Sequence, residues 1–434
     1  MRYTSILRVL LAIVIISSIS LDAQTSQPVA SLKDANGNSL KRAKTGHLTN
    51  YDESKVGTYI LPSLLTLTNG QSVTDAATWL NVRRPEILKL YKDNIYGYIP
   101  TRAPSVRYEI SEPETGLLNN TAIRKILTVH FGPDTSTTVA HVVIYLPASA
   151  KGPVPLLVHM TFAGAYPTKP NSVEPDLPHK SPFIELGPID EIIAHGYGYA
   201  VIHYTEIEPD MAWSKPGRPV GVRSLALAQG QAEPGKQDWG SISAWAWGVS
   251  KMIDYFVADP SIDSKKIGLI GHSRLGKTVI WTGAQDTRLA LVFSSCAGEL
   301  GTSLARRDYG ETVDDMAENF PHQFCGSIQK FRGKWNSMPV DTHMIIALNA
   351  PHPVFITGGT KDLWADPKGE FLAEVEAGSV YRLLGKKDLG ETEGPPLDKP
   401  LTSGDLGFHF HTGGHAILPA DWAAFLSFAD KYLK

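Results

Sequence analysis

From Val154 to its end, the chain alternates short, nearly continuous apolar runs with longer stretches of helical spacing. The runs are Val154–Met160, Tyr199–Tyr204, Ile267–Ile270, Ala290–Ser294, Val354–Gly358 and Gly407–His411. Helical patterns lie at Ile184–His195, Gly240–Phe256, Lys277–Gln285 and Asp421–Leu433. Strands apolar on both sides must be covered on both sides, and strands separated by helices pair in parallel. The alternation therefore predicts an α/β fold, a three-layer αβα sandwich around a mostly parallel sheet. Earlier, Val106–Ile110, Ile123–Phe131 and Thr138–Leu146 read as strands. The last two are joined through Gly132-Pro133-Asp134 as an antiparallel hairpin that opens the sheet. Ala76–Tyr91 reads as a helix, and residues 24–55 as a polar, turn-rich wrap. Two long stretches, 205–238 and 297–345, interrupt the rhythm between core elements, where insertions shape a binding face.

One strand–helix junction carries chemistry. Ile267, Leu269 and Ile270 lead to Gly271-His272-Ser273-Arg274-Leu275-Gly276, and a helical pattern follows. Strand, sharp turn with a serine at its tip, then helix is the layout of a nucleophile elbow, which fits an α/β-hydrolase fold. The usual Gly-x-Ser-x-Gly is altered, because Leu275 holds the fifth position and the glycine follows at Gly276. The reaction class it suggests is acyl transfer through a serine ester.

A serine hydroxyl needs a base and an acid that orients the base, in the chain order Ser, Asp or Glu, His. Of fourteen histidines, His409, His411 and His415 lie late enough. His409 and His411 alternate along the last strand and read as packing or solvent-facing positions. His415 follows that strand past Gly413-Gly414, where active-site loops of open parallel sheets lie, and is the expected base. For the acid, Asp362 after Val354–Gly358 is preferred to Glu299 after the preceding strand. The bland reading of Glu299 is an ion pair to Arg306 or Arg307. Asp366, before Pro367, reads as a turn or helix cap. The amide and guanidinium of Arg274 are the expected oxyanion donors, with the loop Thr161–Ala165 as a further source; such a donor is worth about 3 kcal/mol.

The remaining signals concern location and partners. Arg2 and Arg8 flank the start of an apolar run, Leu10–Ile19, and Ala23 precedes Gln24. This is the pattern of an export signal over residues 1–23. The run falls short of the roughly 20 residues that span a bilayer, and no cysteine follows Ala23 to carry a lipid. An exported bacterial protein, periplasmic or secreted, is expected, with residues 24–434 as one catalytic domain, irregular to about residue 75. A net charge of −3 without a basic run argues against nucleic acid. A monomer is expected, with no membrane association after cleavage. Two cysteines in an exported chain, Cys296 and Cys325, suggest a disulfide.

Gly271–Lys277 resembles the elbow of the glucuronoyl esterases, carbohydrate esterase family fifteen. Further segments agree in order: Trp239–Gly248, Gly283–Asp286 with Arg288, Arg306-Arg307 leading to Gly310-Glu311-Thr312, Phe320–His322 with Phe324-Cys325, Asp362–Gly369 and Gly413–His415. The resemblance implies hydrolysis of esters between (4-O-methyl-)glucuronic acid of glucuronoxylan and lignin alcohols, with no metal or cofactor. It implies Ser273 as nucleophile, His415 as base and Arg274 as oxyanion stabiliser. Lys277, Glu311 and Trp364 would then contact the uronate sugar. Two positions depart from the pattern. Cys296 stands where many members carry the catalytic glutamate, and other members place the acid where Asp362 stands. Asn319 replaces a sugar-contacting glutamine. The competing expectations are an acetyl-xylan or feruloyl-type esterase on the same fold, and a non-catalytic carbohydrate-binding protein.

Overall fold

The computed structural model describes residues 32–162 and 186–434. The expected export signal lies outside these residues, as do Ala163–Ala165 of the expected oxyanion loop. The chain forms two compact units, Met1–Leu40 and Lys41–Lys434. In the first, Lys33 bridges Ser39 around a turn whose backbone donates to the Asp34 carboxylate from Asn36 and Asn38.

The second unit holds one ten-stranded sheet. Its strands are β1 (Val106–Ile110), β2 (Glu114–Leu117), β3 (Ala122–Phe131), β4 (Val139–Pro147), β5 (Val154–Thr161), β6 (Gly198–His203), β7 (Ile262–His272), β8 (Leu291–Ser295), β9 (Val354–Gly359) and β10 (Leu406–His411). The order is β1-β3-β4-β6-β5-β7-β8-β9-β10, with β2 beside β3. Everything from β6 to β10 in that order pairs in parallel, and β1 to β4 are antiparallel to their neighbours. The hairpin β3–β4 and the parallel core are thus as the apolar pattern predicts.

The helices are α1 (Ala76–Thr78), α2 (Arg84–Tyr91), α3 (Ile189–Ala194), α4 (Val222–Leu225), α5 (Ser241–Phe256), α6 (Arg274–Gln285), α7 (Val313–Asn319), α8 (Thr342–Leu348), α9 (Pro367–Leu383) and α10 (Pro419–Leu433). None of the described helices is long and apolar enough to cross a membrane. Two cores sandwich the sheet. Trp245, Trp281, Met344 and Phe371 pack on one face beneath α5, α6, α8 and α9. Phe293, Phe355, Trp422 and Phe425 pack on the other beneath α3 and α10. Alternation within single strands feeds both: Val354 and Ile356 point to the first core, Phe355 to the second. Each such side chain contributes about 1.5–3 kcal/mol by burial.

Three expectations change. Helix α3 starts at Ile189, after Pro188; residues 186–188 of the expected helix are not helical, and Ile184 and Glu185 lie outside the described residues. The 17-residue α9 has no counterpart in the sequence reading. Its buried face carries Glu370 and Glu374 among the apolar positions, and both are fully buried, so the apolar stripe that announces a helix is interrupted. The Cys296–Cys325 disulfide is not formed, and both residues are buried free thiols. Cys296 follows the carboxyl end of β8, an interior strand, with its amide bonded to Thr357 O at 2.8 Å. Cys325 sits elsewhere, its amide bonded to Ile95 O at 2.9 Å and its Cβ packed against Gly97.

Candidate active site

The carboxyl ends of four neighbouring parallel strands deliver the site. β7 is followed by Ser273, β8 by Cys296, β9 by Asp362 and β10 by His415. Ser273 caps α6 with φ 57° and ψ −127°, a backbone state that costs a non-glycine residue of order 1–3 kcal/mol. Two features hold it there. The Ser273 amide donates to Ser295 O at 2.8 Å, tying the tip to the next strand. Gly271 lets the turn close, because a Cβ there would meet the Leu275 carbonyl oxygen at 2.4 Å. The shifted glycine of the elbow also has a physical reason. Gly276 faces β8, where a Cβ would stand 3.0 Å from Ala297 Cβ and Ser295 O, whereas Leu275 is buried in the core.

Ser273, Arg274, Lys277, Cys296, Glu311, Trp364 and His415 line one cavity of about 290 Å³ with Phe162, Tyr204, Met316, Phe320, Gln323 and Ala365. His415 Nδ1 lies 2.6 Å from Asp362 Oδ2. That contact fixes the Nδ1–H tautomer and leaves Nε2 to act as base. Asp362 is 5% exposed, so the pair sits largely out of water on the acid side. Beside it lies His272, whose ring centroid is 4.4 Å from that of His415. Burial, then the neighbouring His415, hold His272 well below the ordinary imidazole range, so it adds no competing charge.

Arg274 is held in the cavity by Asp210, whose Oδ2 pairs with Nη1 and accepts from Tyr204 at 3.1 Å. Asp210 Oδ1 accepts from His322 Nε2 at 2.7 Å and Gln323 Nε2 at 3.0 Å. Burial raises the Asp210 carboxyl, but these donors and the Arg274 charge outweigh it and hold the group far below the usual carboxylate range. The guanidinium also lies 5.3 Å from the Phe320 ring and 5.8 Å from that of Phe162. The Arg274 amide opens α6, where no helical carbonyl is available to it. A charged fork and a backbone donor thus stand next to the serine.

Lys277 and Glu311 form a buried ion pair on the cavity wall, Nζ to Oε1 at 3.0 Å, and Lys277 also donates to Ala297 O. Trp364 is tied to Glu311 through backbone, its carbonyl accepting the Glu311 amide at 2.8 Å. The Lys41 ammonium stands 3.6 Å from the Trp364 ring centroid.

The remaining candidates fall elsewhere. Glu299 is 3% exposed and does not line the cavity. Its Oε1 has no partner, and burial, then Asp341 and Glu311, push its carboxyl well above the usual range. The ion pair expected for it is not made, because Arg306 pairs with Asp341 and Arg307 with Asp366 and Glu53. Asp366 caps α9 through Gly369 N at 3.0 Å. Asn319 is exposed at the end of α7 and outside the cavity lining. The amide in the cavity is Gln323, four residues on, which sequence reasoning missed. Asp210 was missed too, as its link to Arg274 spans 64 positions. His409 and His411 pack inside and share Asp421 Oδ1 at 2.7 and 3.0 Å.

A family model described as glucuronyl esterase, fungi, matches residues 234–385. The chain is 37% identical over 403 residues to carbohydrate esterase MZ0003 from an unknown prokaryotic organism, covering 88% of this chain and 92% of that one. It is 26% identical over 350 residues to the 4-O-methyl-glucuronoyl methylesterase of Cerrena unicolor, covering 78% and 64%. Among solved structures, a glucuronoyl esterase from Solibacter usitatus is 38% identical, with a TM-score of 0.79 over 88% of this chain and 100% of that one. The CE15 glucuronoyl esterase from Teredinibacter turnerae is 30% identical, with a TM-score of 0.77 over 91% and 96%. The chain belongs to the glucuronoyl esterases of carbohydrate esterase family 15.

Proposed function

We propose that this family member is a serine carboxylic ester hydrolase that cleaves esters of (4-O-methyl-)glucuronic acid, including those joining glucuronoxylan to lignin alcohols. The observation that carries the reading is the grouping of Ser273, His415 with its 2.6 Å partner Asp362, and the Asp210-braced Arg274 around one cavity. In the first half-reaction Ser273 Oγ attacks the ester carbonyl carbon and its proton passes to His415 Nε2. The oxyanion that forms faces Arg274. Collapse of the tetrahedral species breaks the bond to the alcohol, which leaves with the proton from His415. In the second half-reaction water gives a proton to His415 and attacks the acyl-enzyme; Ser273 regains that proton and the uronic acid departs. Charge develops on the oxyanion in both steps, so a pre-oriented guanidinium lowers both barriers.

The Lys277–Glu311 pair and the Trp364 ring form the wall on which a uronate ring is recognised, Trp364 by packing and the pair by hydrogen bonds to hydroxyls. The reading also takes residues 1–23 as an export signal and 24–434 as the mature catalytic domain, acting as a monomer outside the cytoplasm, where the polymer is found. Hydrolysis of benzyl glucuronate and of an aryl acetate by wild type and Ser273→Ala tests it. Uronate-ester turnover lost in Ser273→Ala is expected. Acetate turnover alone would keep the triad and remove the uronate specificity. Xylan binding without turnover of either ester would point to a binding protein.

A further inference from the structure

The mechanism above leaves one group of the cavity unused. Cys296 follows β8 with φ 45°, in the left-handed region, and lines the same cavity as Ser273 and His415. Its Sγ, a carboxylate oxygen of Asp362 and a ring nitrogen of His415 all lie within 4.8 Å of one another. Among the described residues no other three side chains of His, Cys, Asp or Glu converge in this way. Three different donors, sulfur, nitrogen and oxygen, come from three successive strand ends, and two of them, Cys296 and His415, line the cavity.

We propose that Cys296, Asp362 and His415 form an inhibitory binding site for a borderline-soft divalent cation of the zinc type. Zinc takes thiolate at about 2.3 Å and imidazole or carboxylate at about 2.0–2.2 Å, in tetrahedral geometry, with water free to fill a fourth position. Donor atoms around such an ion stand roughly 3.4–3.7 Å apart by that geometry, so movements on the order of 1 Å complete the set. His415 supplies the movement: it lies on the loop after β10 and its side chain is 28% exposed, against 5% for Asp362. Binding breaks the Cys296 S–H bond, forms a sulfur–metal bond and releases that proton to solvent. The His415 nitrogen that takes the metal is the one without hydrogen, so the neutral ring keeps its single proton on the other nitrogen, shifting tautomer through solvent where Nδ1 is the ligand. No electron is transferred. Magnesium and calcium, which call for six or more oxygen ligands or retained waters, do not suit a site containing sulfur.

The consequence for catalysis rests on the triad reading, whereas the binding does not. A metal on His415 and Asp362 takes away the base that activates Ser273, so hydrolysis stops until the metal is removed. The test uses tag-free, chelator-treated protein and zinc chloride alone as probe. Calorimetry reads binding for wild type and Cys296→Ala, and uronate-ester hydrolysis is followed in parallel, each protein normalised to its own metal-free rate. One zinc per wild-type chain is expected, with turnover cut at least tenfold by saturating zinc and restored by EDTA. Cys296→Ala is expected to bind at least tenfold more weakly and to lose the inhibition. Unchanged zinc affinity in Cys296→Ala overturns the proposal, as does a wild type that binds no zinc. Cys296→Ser, which keeps a polar atom of similar size, gives the same reading if the alanine variant melts early. A wild type that binds zinc through Cys296 but hydrolyses no uronate ester would leave this site standing and remove the esterase reading.

Discussion

The chain contains two histidine–carboxylate clusters a few residues apart, and they do opposite jobs. At the cavity, His415 gives one nitrogen to Asp362 and lines the same pocket as Ser273. Behind it, His411 commits both nitrogens, Nδ1 to Asp421 at 3.0 Å and Nε2 to the Gly414 carbonyl at 3.2 Å. Carboxylate and carbonyl are both acceptors, so this setting favours hydrogen on both His411 nitrogens. Burial opposes the charge that results, but Asp421 outweighs it and raises the His411 pKa. One cluster holds the proposed base. The other is a buried brace that ties the Gly414 carbonyl to the sheet just before His415.

The largest effect that can break this comparison is loss of the base. His415→Gln is expected to lower kcat by about 10⁴-fold or more while leaving the melting temperature within a few degrees of wild type. Normal turnover in that variant would hand the role to another histidine. Next comes the acid. Asp362→Asn is expected to cost about 10⁴-fold in kcat, because the amide fixes the wrong tautomer. Glu299→Gln, at a carboxyl that burial already favours as neutral, is expected to cost less than about tenfold. The reverse order would move the acid to Glu299.

At the brace the loss should appear as stability. Asp421→Asn leaves the His411 charge buried and unpaired, an expected loss of about 3 kcal/mol in denaturant unfolding, with a smaller fall in kcat. An unchanged unfolding midpoint would mean that His411 is neutral. The smallest effect is in the pH profile. His411 has a raised folded pKa, so its contribution is fully present below its unfolded value near 6.5 and is lost as pH rises through the folded value. Asp421 is depressed: burial raises it, but its two histidines outweigh that. Its contribution is present above about pH 4 and is lost as pH falls through the folded value. The melting difference between wild type and His411→Gln should therefore be greatest near pH 5–6 and shrink toward alkaline pH. A difference that grows above neutrality would reverse the sign of the argument.

The same contrast explains what could be read from the sequence. The parallel strands announce themselves because they are apolar throughout, and the triad because the fold dictates its chain order. Ser273, Asp362 and His415 each follow such a strand. Helix α9 stayed hidden because Glu370 and Glu374 sit on its buried face; burial raises Glu370 to about 8. The Arg274 brace was equally silent. Asp210 and His322 come from opposite insertions, 205–238 and 297–345, and no local pattern joins residues 112 positions apart. The replaced amide misled for a similar reason: alignment by position points to Asn319, whereas the helix end turns that residue outward and Gln323 inward.

The amides of Ser273 and Cys296 hang from the carbonyls of Ser295 and Thr357 on the adjoining strands. The nucleophile's coordinates are thus inherited from sheet backbone, while Glu311, Phe320 and Gln323 belong to an insertion that the sheet does not specify. The serine's placement and much of the cavity wall come from separate parts of the chain, although His322 and Gln323 of the same insertion also brace Asp210 behind Arg274. A lineage, or an engineer, that exchanges the stretch 297–345 but keeps partners for Asp210 can reshape the wall of the cavity without having to rediscover where the serine stands.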